Sequence, residues 1–335
     1  MTQPLQRRTL LKRASILALP AAPALSALIG APAIAQPLSG TLRFGDQANQ
    51  IRSMMEGAGQ LKDVPYKIEF ANFPNAGPVL EAEKAGALDA GFGGDGAHCF
   101  AFANGLPGKV IYAERSDPAC IAVLVHGDSP IKTVKDLKGK SVAIIRGSIV
   151  HYLIANALAA NGMKAEDVNL VFMQSADAKS AFYGKSVDGW GTWTLLQAQA
   201  VLNDKARVLV NGRGLINNNA FISANDTAIA SKQAILQDFA NRFGRSRVWA
   251  LNNLDAYSKV WSDITKASPE VCKHAYNLER FRPVAFDEQL LDEWRKTANF
   301  YKGAGLLTNA FDPAKVVDNR FKTDAHLLDE AKKLA

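Results

Sequence analysis

Residues 87–103 read ALDAGFGGDGAHCFAFA and contain a complete strand, turn and helix. The pattern predicts a strand over Asp89–Phe92, a glycine-rich turn over Gly93–Gly96 and an apolar helix over Ala97–Ala103. Residues 141–160 repeat this order, with an apolar strand, an Arg-Gly-Ser turn and a second helix. Short strands that alternate with helices are typical of parallel sheets crossed by helices.

The same alternation begins at Leu42, extends over most of the chain and predicts two α/β lobes. Breaks near Arg115–Ala119 and Asn211–Asn219 indicate two crossings between them. Beyond the second crossing, apolar residues recur at helical spacing, so we expect long helices that pack back on the first lobe. We therefore predict an α/β protein with residues 36–116 plus 220–335 in lobe 1, residues 117–219 in lobe 2 and a ligand cleft between the lobes.

Residues 1–35 have the pattern of a cleaved export signal. Four basic residues precede an Ala-rich apolar run, and Ala33-Ile34-Ala35 matches a signal-peptidase site. The adjacent Arg7 and Arg8 resemble a twin-arginine signal, although Gln6 and Leu10 depart from the usual pattern, so ordinary secretion stays open. The apolar run is broken by prolines and falls short of the roughly 20 residues that a membrane span needs. A soluble periplasmic protein is the expectation.

Charge and cysteine content exclude several functional classes. The chain has 39 Lys and Arg against 32 Asp and Glu, and four of the basic residues belong to the signal. The remaining charge is nearly balanced, and no basic block is interleaved with aromatics, so no nucleic-acid partner is predicted. The three cysteines have neither metal-ligand spacing nor the even number of a disulfide framework. We expect buried thiols, no metal, no cofactor and a monomer.

The turns between strands and helices are candidate anion-binding segments. In lobes of this kind helices begin at the cleft, and their unpaired N–H groups and dipole favour an anion. A glycine or serine before a helix is also a common cap, which is the alternative. Asp95 would repel an anion and is expected to act as a cap or as an interlobe hydrogen-bonding group. The candidates of this kind are Gln47, Gly94, Asp95, Gly96, Ala97, Gly147 and Ser148.

Side chains near the two turns supply further candidates. Trp190 and Trp193 end a short strand, where an indole ring could cover the apolar part of a ligand and its N–H could reach a polar group. Core packing of the two rings is the alternative. His151 is a candidate ligand contact or an ordinary helix residue, and Arg146 is either an anion clamp or a solvated or interlobe charge.

Several short motifs follow one another in a fixed order over roughly residues 42–222. They are Phe73-Pro74-Asn75-Ala76-Gly77-Pro78, Glu81-Ala82, Ala85-Gly86-Ala87-Leu88-Asp89-Ala90-Gly91, Gly94-Asp95, Asp128-Ser129-Pro130-Ile131-Lys132, Asp136-Leu137-Lys138-Gly139-Lys140, Gly147-Ser148, Ala176-Asp177-Ala178, Ala181-Phe182 and Val187-Asp188 with Trp190 and Trp193. The ordered set resembles the aliphatic sulfonate-binding proteins, with one additional residue before Gly77.

This resemblance implies a type II periplasmic binding-protein fold and a small organic anion that is passed to an ABC permease in the inner membrane. In three places the chain departs from the family pattern. After the second Trp the family usually has an acid and Pro, whereas this chain has Thr194-Leu195, so Thr194 joins the candidates and an amino-sulfonate is disfavoured. The other two are Gly96-Ala97-His98 for a small-Pro-Pro segment and Ile149 for a hydroxyl residue. Nitrate, a carboxylate or a heterocyclic precursor stay open as ligands.

Two other functional classes are compatible with an α/β fold of this kind. An enzyme on the same fold would need an acid or base in the cleft, for which Asp95, His151 and Asp177 are the candidates. No G-x-S-x-G, H-E-x-x-H or P-loop motif is present, so no catalytic residue is predicted. The effector domain of a transcription regulator is disfavoured, because an export signal rather than a helix-turn-helix segment precedes the lobes.

Overall fold

The computed structural model describes residues 38–309 and 311–334. The export signal predicted over residues 1–35 lies outside the described residues. Within them the chain forms two separate β-sheets with helices between the strands, which confirms the predicted α/β fold class.

The first sheet contains both early and late parts of the chain. Its strands are β1 (Thr41–Gln47), β2 (Lys67–Phe73), β3 (Ala90–Gly94), β4 (Gly108–Arg115), β10 (Asn219–Asn225) and β11 (Arg282–Val284). They lie in the order β11-β4-β10-β3-β1-β2. β1 is parallel to β2 and β3, whereas β10 is antiparallel to β3 and β4. The carboxyl ends of β1, β3 and β4 therefore lie at one edge.

The second sheet is built from one continuous middle portion of the chain. Its strands are β5 (Ile121–Val125), β6 (Ser141–Ile144), β7 (Asn169–Phe172), β8 (Gly189–Trp193) and β9 (Arg207–Asn211), in the order β7-β6-β8-β5-β9. β6 is parallel to β7 and β8. The chain passes from the first sheet to the second at residues 116–120 and returns at residues 212–218.

Helices follow most strands, and many begin at a polar cap. Asn75, Asn225 and Asp287, for example, each accept a backbone N–H of the first helical turn with the side-chain oxygen. None of the helices formed by residues 38–309 and 311–334 combines the length and apolar character that a membrane crossing requires. The helices are α1 (Gln50–Gly57), α2 (Ala76–Lys84), α3 (Asp95–Ala103), α4 (Ile149–Ala160), α5 (Ser175–Tyr183), α6 (Thr194–Asn203), α7 (Asp226–Asn252), α8 (Leu254–Thr265), α9 (Pro269–Glu279), α10 (Glu288–Gly303) and α11 (Ala325–Lys333).

Two glycines let α2 lie directly on the first sheet. A Cβ on Gly45 or on Gly91 would come within 2.5 Å of a methyl group of Val79. Any larger residue at either position would push α2 away from β1 and β3. The small residues in these strands therefore serve close helix-to-sheet packing.

The late helices pack on the first sheet, as the helical spacing predicted. Phe239, Phe243, Tyr257 and Trp261 are buried in one core with Phe44 of β1. Buried aromatic side chains of this size dominate the packing energy of a core. Helices α7 and α8 thus pack with strands of the first sheet, in line with the expected return of the C-terminal portion.

That core also encloses a fully buried ion pair. The guanidinium of Arg247 on α7 donates to both carboxylate oxygens of Glu114 on β4, at 2.9 and 2.8 Å. Burial raises the pKa of Glu114 to about 7, in opposition to the lowering effect of Arg247. Both side chains have no exposed surface, so removal of either partner would leave a buried charge without compensation.

Two aspartates of the family-like motifs hold strand starts rather than a ligand. Asp89, just before β3, accepts the backbone N–H of Arg43 and side-chain bonds from Arg43 and Lys232. Asp188, just before β8, accepts the backbone N–H and the hydroxyl of Ser141. Each carboxylate joins neighbouring strands at the edge opposite the strand-to-helix turns, so these motif residues organise the two sheets.

Candidate ligand-binding site

The first candidate segment lies where β3 ends and α3 begins. Gly94 and Ala97 are partly exposed there, whereas Asp95 and Gly96 are buried. A Cβ on Gly96 would lie 2.7 Å from the hydroxyl oxygen of Tyr301, so this glycine allows α3 to pack on α10. Only Gly94 and Ala97 of the four thus keep surface that a ligand could use.

Asp95 is directed into the protein, away from any ligand. Its carboxylate accepts the hydroxyl of Thr297 at 3.1 Å, and its backbone carbonyl accepts the indole N–H of Trp294 at 3.1 Å. Burial raises the pKa of its carboxyl to about 7. Both partners lie on α10, which packs on α3 in the same half of the molecule. Asp95 therefore links two helices, which corrects its assignment as a ligand contact.

The second candidate segment, at the start of α4, satisfies most of its own polar groups. The N–H of Gly147 donates to Nδ1 of His151 at 3.2 Å. The hydroxyl of Ser148 donates to the carbonyl of Ile145 and accepts the N–H of His151, so it is the helix cap. Ser148 is therefore a helix cap, which is the alternative interpretation. The other N–H groups of the first helical turn are still available to a ligand.

His151 belongs to the site through its ring orientation. Because Nδ1 accepts from Gly147, the neutral ring carries its proton on Nε2 and retains one donor. Burial lowers the pKa of His151, and the positive charge of Arg146 lowers it further. The half-buried imidazole is therefore a neutral hydrogen-bond donor beside a cation, a combination that favours an anion.

The two segments face the same space. A Cβ on Gly147 would lie 2.9 Å from the ring of Phe100, which is one turn beyond Ala97 on α3. The ring of His151 on α4 lies 5.9 Å from that of Phe300 on α10. Helices that follow different sheets thus meet at these contacts. The convergence of the two strand-to-helix turns on one ligand stays a prediction, and these contacts support it.

Aromatic side chains form a wall around this meeting point. Phe100, Phe172 and Phe300 are each partly exposed, and the guanidinium carbon of Arg146 lies 3.8 Å from the ring centre of Phe172. Sequence reasoning missed the three phenylalanines because they come from α3, β7 and α10, and no local spacing connects them. Together they offer apolar surface next to a positive charge.

A carboxylate from α9 joins the two halves on another side of the site. Oε1 of Glu279 accepts the hydroxyl of Thr194 at the start of α6 at 3.3 Å, and Oε2 accepts the amide of Gln50 on α1 at 2.8 Å. Thr194 has φ of +45°, a left-handed conformation that β-branched residues avoid. Such strain is concentrated at functional sites. Sequence reasoning found Thr194 but missed Glu279 and Gln50.

Of the two tryptophans, Trp190 packs in the core and Trp193 is partly exposed. Trp190 is 1% exposed and packs 5.7 Å from the ring centre of Phe182, inside the core of the second sheet. Its assignment as a ligand contact is corrected, because alternate residues of a strand point to opposite faces and Trp190 points to the packed one. Trp193 is partly exposed at the end of β8, where it stays a candidate.

Gln47 and the start of α1 contribute less than expected. The side-chain N–H of Gln47 donates to the carbonyl of Phe92 at 2.8 Å, which ties this side chain to β3. The buried carboxylate of Asp46 accepts the N–H groups of Ile51 and Arg52. The protein's own carboxylate therefore occupies the N-terminus of α1, which leaves no place there for a ligand anion.

The cysteines and one Ser–His pair among the described residues are buried. Cys99, Cys120 and Cys272 are unpaired and buried, as predicted, and burial raises the pKa of each thiol. Ser223 and His98 are hydrogen-bonded to one another but have no exposed surface. Within residues 38–309 and 311–334, no group of three or more His, Cys, Asp or Glu is placed to hold a metal ion.

Two α/β halves with two crossings, and strand-to-helix turns that face one another, define the periplasmic binding-protein class of fold. Family comparison agrees with this class. The chain belongs to the NMT1/THI5-like family, whose model matches residues 67–255, more than half of the sequence.

Individual relatives are named as sulfonate-binding proteins. The chain is 36% identical over 186 residues to a putative aliphatic sulfonates-binding protein of Escherichia coli, a match that covers 55% of this chain and 58% of the relative, less than two thirds of its length. The crystal structure of the periplasmic aliphatic sulphonate binding protein from Escherichia coli matches with a TM-score of 0.78 and 26% identity, over 85% of this chain and 93% of that one. The alkanesulfonate-binding protein from Xanthomonas axonopodis pv. citri bound to MOPS has a TM-score of 0.76 and 24% identity, over 83% of this chain and 98% of that one, and at this identity shows the fold alone. The family resemblance drawn from the motifs is confirmed.

Proposed function

We propose that this chain is an extracytoplasmic solute-binding protein of an ABC importer and that its ligand is an aliphatic sulfonate. The observation that carries the proposal is the contact between Gly147 and Phe100, which brings the turn before α4 against α3, one turn from its first residues. Helix N-termini that converge from two sheets form a site for an anionic head group. The names of the relatives favour a sulfonate among the possible anions.

In the proposed complex the two parts of the ligand meet different surfaces. The sulfonate oxygens accept hydrogen bonds from backbone N–H groups at the start of α4 and from the Nε2–H of His151. The positive charge of Arg146 attracts the same head group. Phe100, Phe172 and Phe300 cover the alkyl chain, since half-exposed aromatic rings gain from burial against it. Ala97 and Trp193 line the same space. Asp95 and Trp190 support it from the protein interior.

The ligand in this proposal bridges two lobes that close over it. We assign residues 36–116 plus 220–335 to lobe 1 and residues 117–219 to lobe 2, which follows the division into two sheets. Binding favours the closed arrangement because only there do both lobes contact the ligand. The residue pair Thr194 and Glu279 contributes to closure by joining α6 to α9.

The cellular setting belongs to the same proposal. The export signal of residues 1–35, read as twin-arginine-like, delivers a soluble protein to the periplasm, where it acts as a monomer. It passes its ligand to the permease of an ABC transporter in the inner membrane. No chemical step is proposed, because the cysteines and the Ser223–His98 pair are buried.

Calorimetric titration of the mature chain tests the proposal. Alkanesulfonates of increasing chain length, taurine, nitrate, sulfate and a short carboxylate are compared in Tris, because MOPS and HEPES are themselves sulfonates. We expect alkanesulfonates to bind more tightly than sulfate, since the aromatic wall adds contacts that sulfate lacks. Absence of binding by every sulfonate, or tighter binding of nitrate or a carboxylate, would contradict it, and conversion of a ligand detected by mass spectrometry would make the protein an enzyme.

A further inference from the structure

A cavity lies at the two crossings, at the end of β4. Its volume is about 320 Å³, and residues of β4, β11 and both crossing segments line it. We name it the crossing cavity and define it by Arg115, Ser116, Asp117, Asn217, Asn218 and Arg282. None of these residues is among the candidates for the sulfonate site, so a function here would be additional to the proposed one.

Two arginines stand directly opposite one another in this cavity. Arg282 of β11 pairs with Arg115 of β4 in the antiparallel register. Side chains opposite one another on neighbouring strands approach to within about 5.5 Å at Cβ, and like charges in this position are destabilising. The sheet therefore carries an unfavourable cation pair at its edge unless an anion compensates for it.

Of the two arginines, only Arg115 forms an ion pair within the described residues. Arg115 donates to the carboxylate of Glu293 at 2.8 Å. Arg282 is half-buried, and within the described residues its guanidinium has no hydrogen bond or salt bridge. Burial lowers the pKa of Arg282, and the charges of Arg115 and Arg280 lower it further, whereas the charge of Asp117 raises it. The cavity thus holds a partly desolvated cation that still has all its donors.

The one carboxylate in the lining does not supply the missing partner. Asp117 accepts a forked pair of hydrogen bonds from Arg213, outside the cavity, and the backbone N–H of Ala119. Its oxygens are therefore engaged by other donors, while its charge still acts on Arg282. The remaining neutral groups include the side-chain amide of Asn217, which lines the cavity and has a donor to offer.

We propose that the crossing cavity binds a small tetrahedral oxyanion, sulfate or phosphate, between Arg282 and Arg115. A guanidinium presents a planar fork of donors that matches two oxygens of such an anion. Asn217 supplies a further donor from the returning segment. Because the site joins both crossings to the edge of the first sheet, bound anion stabilises the region that connects the two halves.

Thermal unfolding of the mature protein tests this site. Sodium sulfate and sodium phosphate are added at millimolar concentration in Tris, with sodium chloride at matched ionic strength as reference and with saturating alkanesulfonate to fill the main site. We expect the oxyanions to raise the melting temperature by about 2 °C or more over chloride. Arg282→Gln should lose this shift, whereas Arg245→Gln, at an exposed arginine on α7, should keep it.

A second variant and a second measurement distinguish anion binding in the crossing cavity from anion binding at the proposed sulfonate site. Gly147→Ala, which disturbs the main site, should keep the oxyanion shift. A crystal soaked in selenate should show an anomalous peak between Arg115 and Arg282, a result that stands even if Arg282→Gln does not fold. Loss of the shift in Gly147→Ala alone, equal loss in Arg245→Gln, or no selenate peak at these arginines would overturn the site, and failure of sulfonates to bind would leave it unaffected.

Discussion

The ring of Phe100 lies where the side chain of residue 147 would begin, 2.9 Å from the position of a Cβ on Gly147. Phe100 lies on α3, which follows strand β3 of the first sheet. Gly147 lies in the turn that follows strand β6 of the second sheet. Their contact brings the turn before α4 against the side of α3. The proposed anion site depends on this contact, because each N-terminus alone has only a helix-capping role.

Gly147→Ala tests this contact directly. Gly147 has φ of +75°, so alanine there costs about 1–2 kcal/mol in backbone strain and adds the clash with Phe100. Gly139→Ala is the matched control, since Gly139 has φ of +71° and open space around its Cβ. We expect both variants to be less stable and Gly147→Ala alone to bind alkanesulfonate at least about tenfold more weakly, a loss of about 1.4 kcal/mol. Equal affinity of the two variants by calorimetry would refute the shared space.

Fluorescence of the two tryptophans should separate their roles. Trp193 is partly exposed near the site, whereas Trp190 is in the core. Trp193→Phe should abolish the ligand-induced emission change, and Trp190→Phe should preserve it while lowering the free energy of unfolding by about 1 kcal/mol or more. An emission change that disappears with Trp190 instead would return that residue to the site.

The hydrogen bond between Thr194 and Glu279 should contribute to lobe closure. Thr194→Ser keeps the hydroxyl donor, and Thr194→Val removes it at similar volume. We expect Thr194→Val to unfold about 1 kcal/mol more easily, because Oε1 of buried Glu279 loses its partner, and to bind ligand more weakly. Denaturant titration and calorimetry give both values, and identical behaviour of the two variants would exclude this role.

Glu83 should make stability fall as pH rises. It has no exposed surface, its Oε2 accepts the hydroxyl of Ser223, and burial raises its pKa to about 8. The folded state keeps this proton while the unfolded state loses it near pH 4.5, so stability is greatest below that pH and decreases up to about pH 8. Glu83→Gln should therefore gain stability relative to the native chain between pH 5 and pH 8.

The control for this effect lies on the same helix. Glu81 is exposed on α2, so Glu81→Gln should follow the native pH dependence. Melting temperatures of the three proteins, measured across this pH range, isolate Glu83 from other buried carboxyls such as Asp95 and Glu114. A Glu83→Gln curve parallel to the native curve would show that the carboxyl is ionised in the folded state.

The sequence by itself determined the α/β fold, the order of strands and helices, and the strand-to-helix turns at Gly94 and Gly147, because hydrophobic periodicity and glycine position act locally along the chain. It also indicated the buried cysteines and the return of the late helices. The motif order was sufficient for the family.

Only the tertiary structure decided which polar groups remain for a ligand. Asp95 is directed to α10, Trp190 packs in the core, and Ser148 uses its hydroxyl as a cap. Glu279 and Phe300 reach the site from helices more than 80 residues along the chain from Thr194 and His151. Hydrogen-bond partners and contacts between distant elements are three-dimensional relationships, and no spacing along the sequence encodes them.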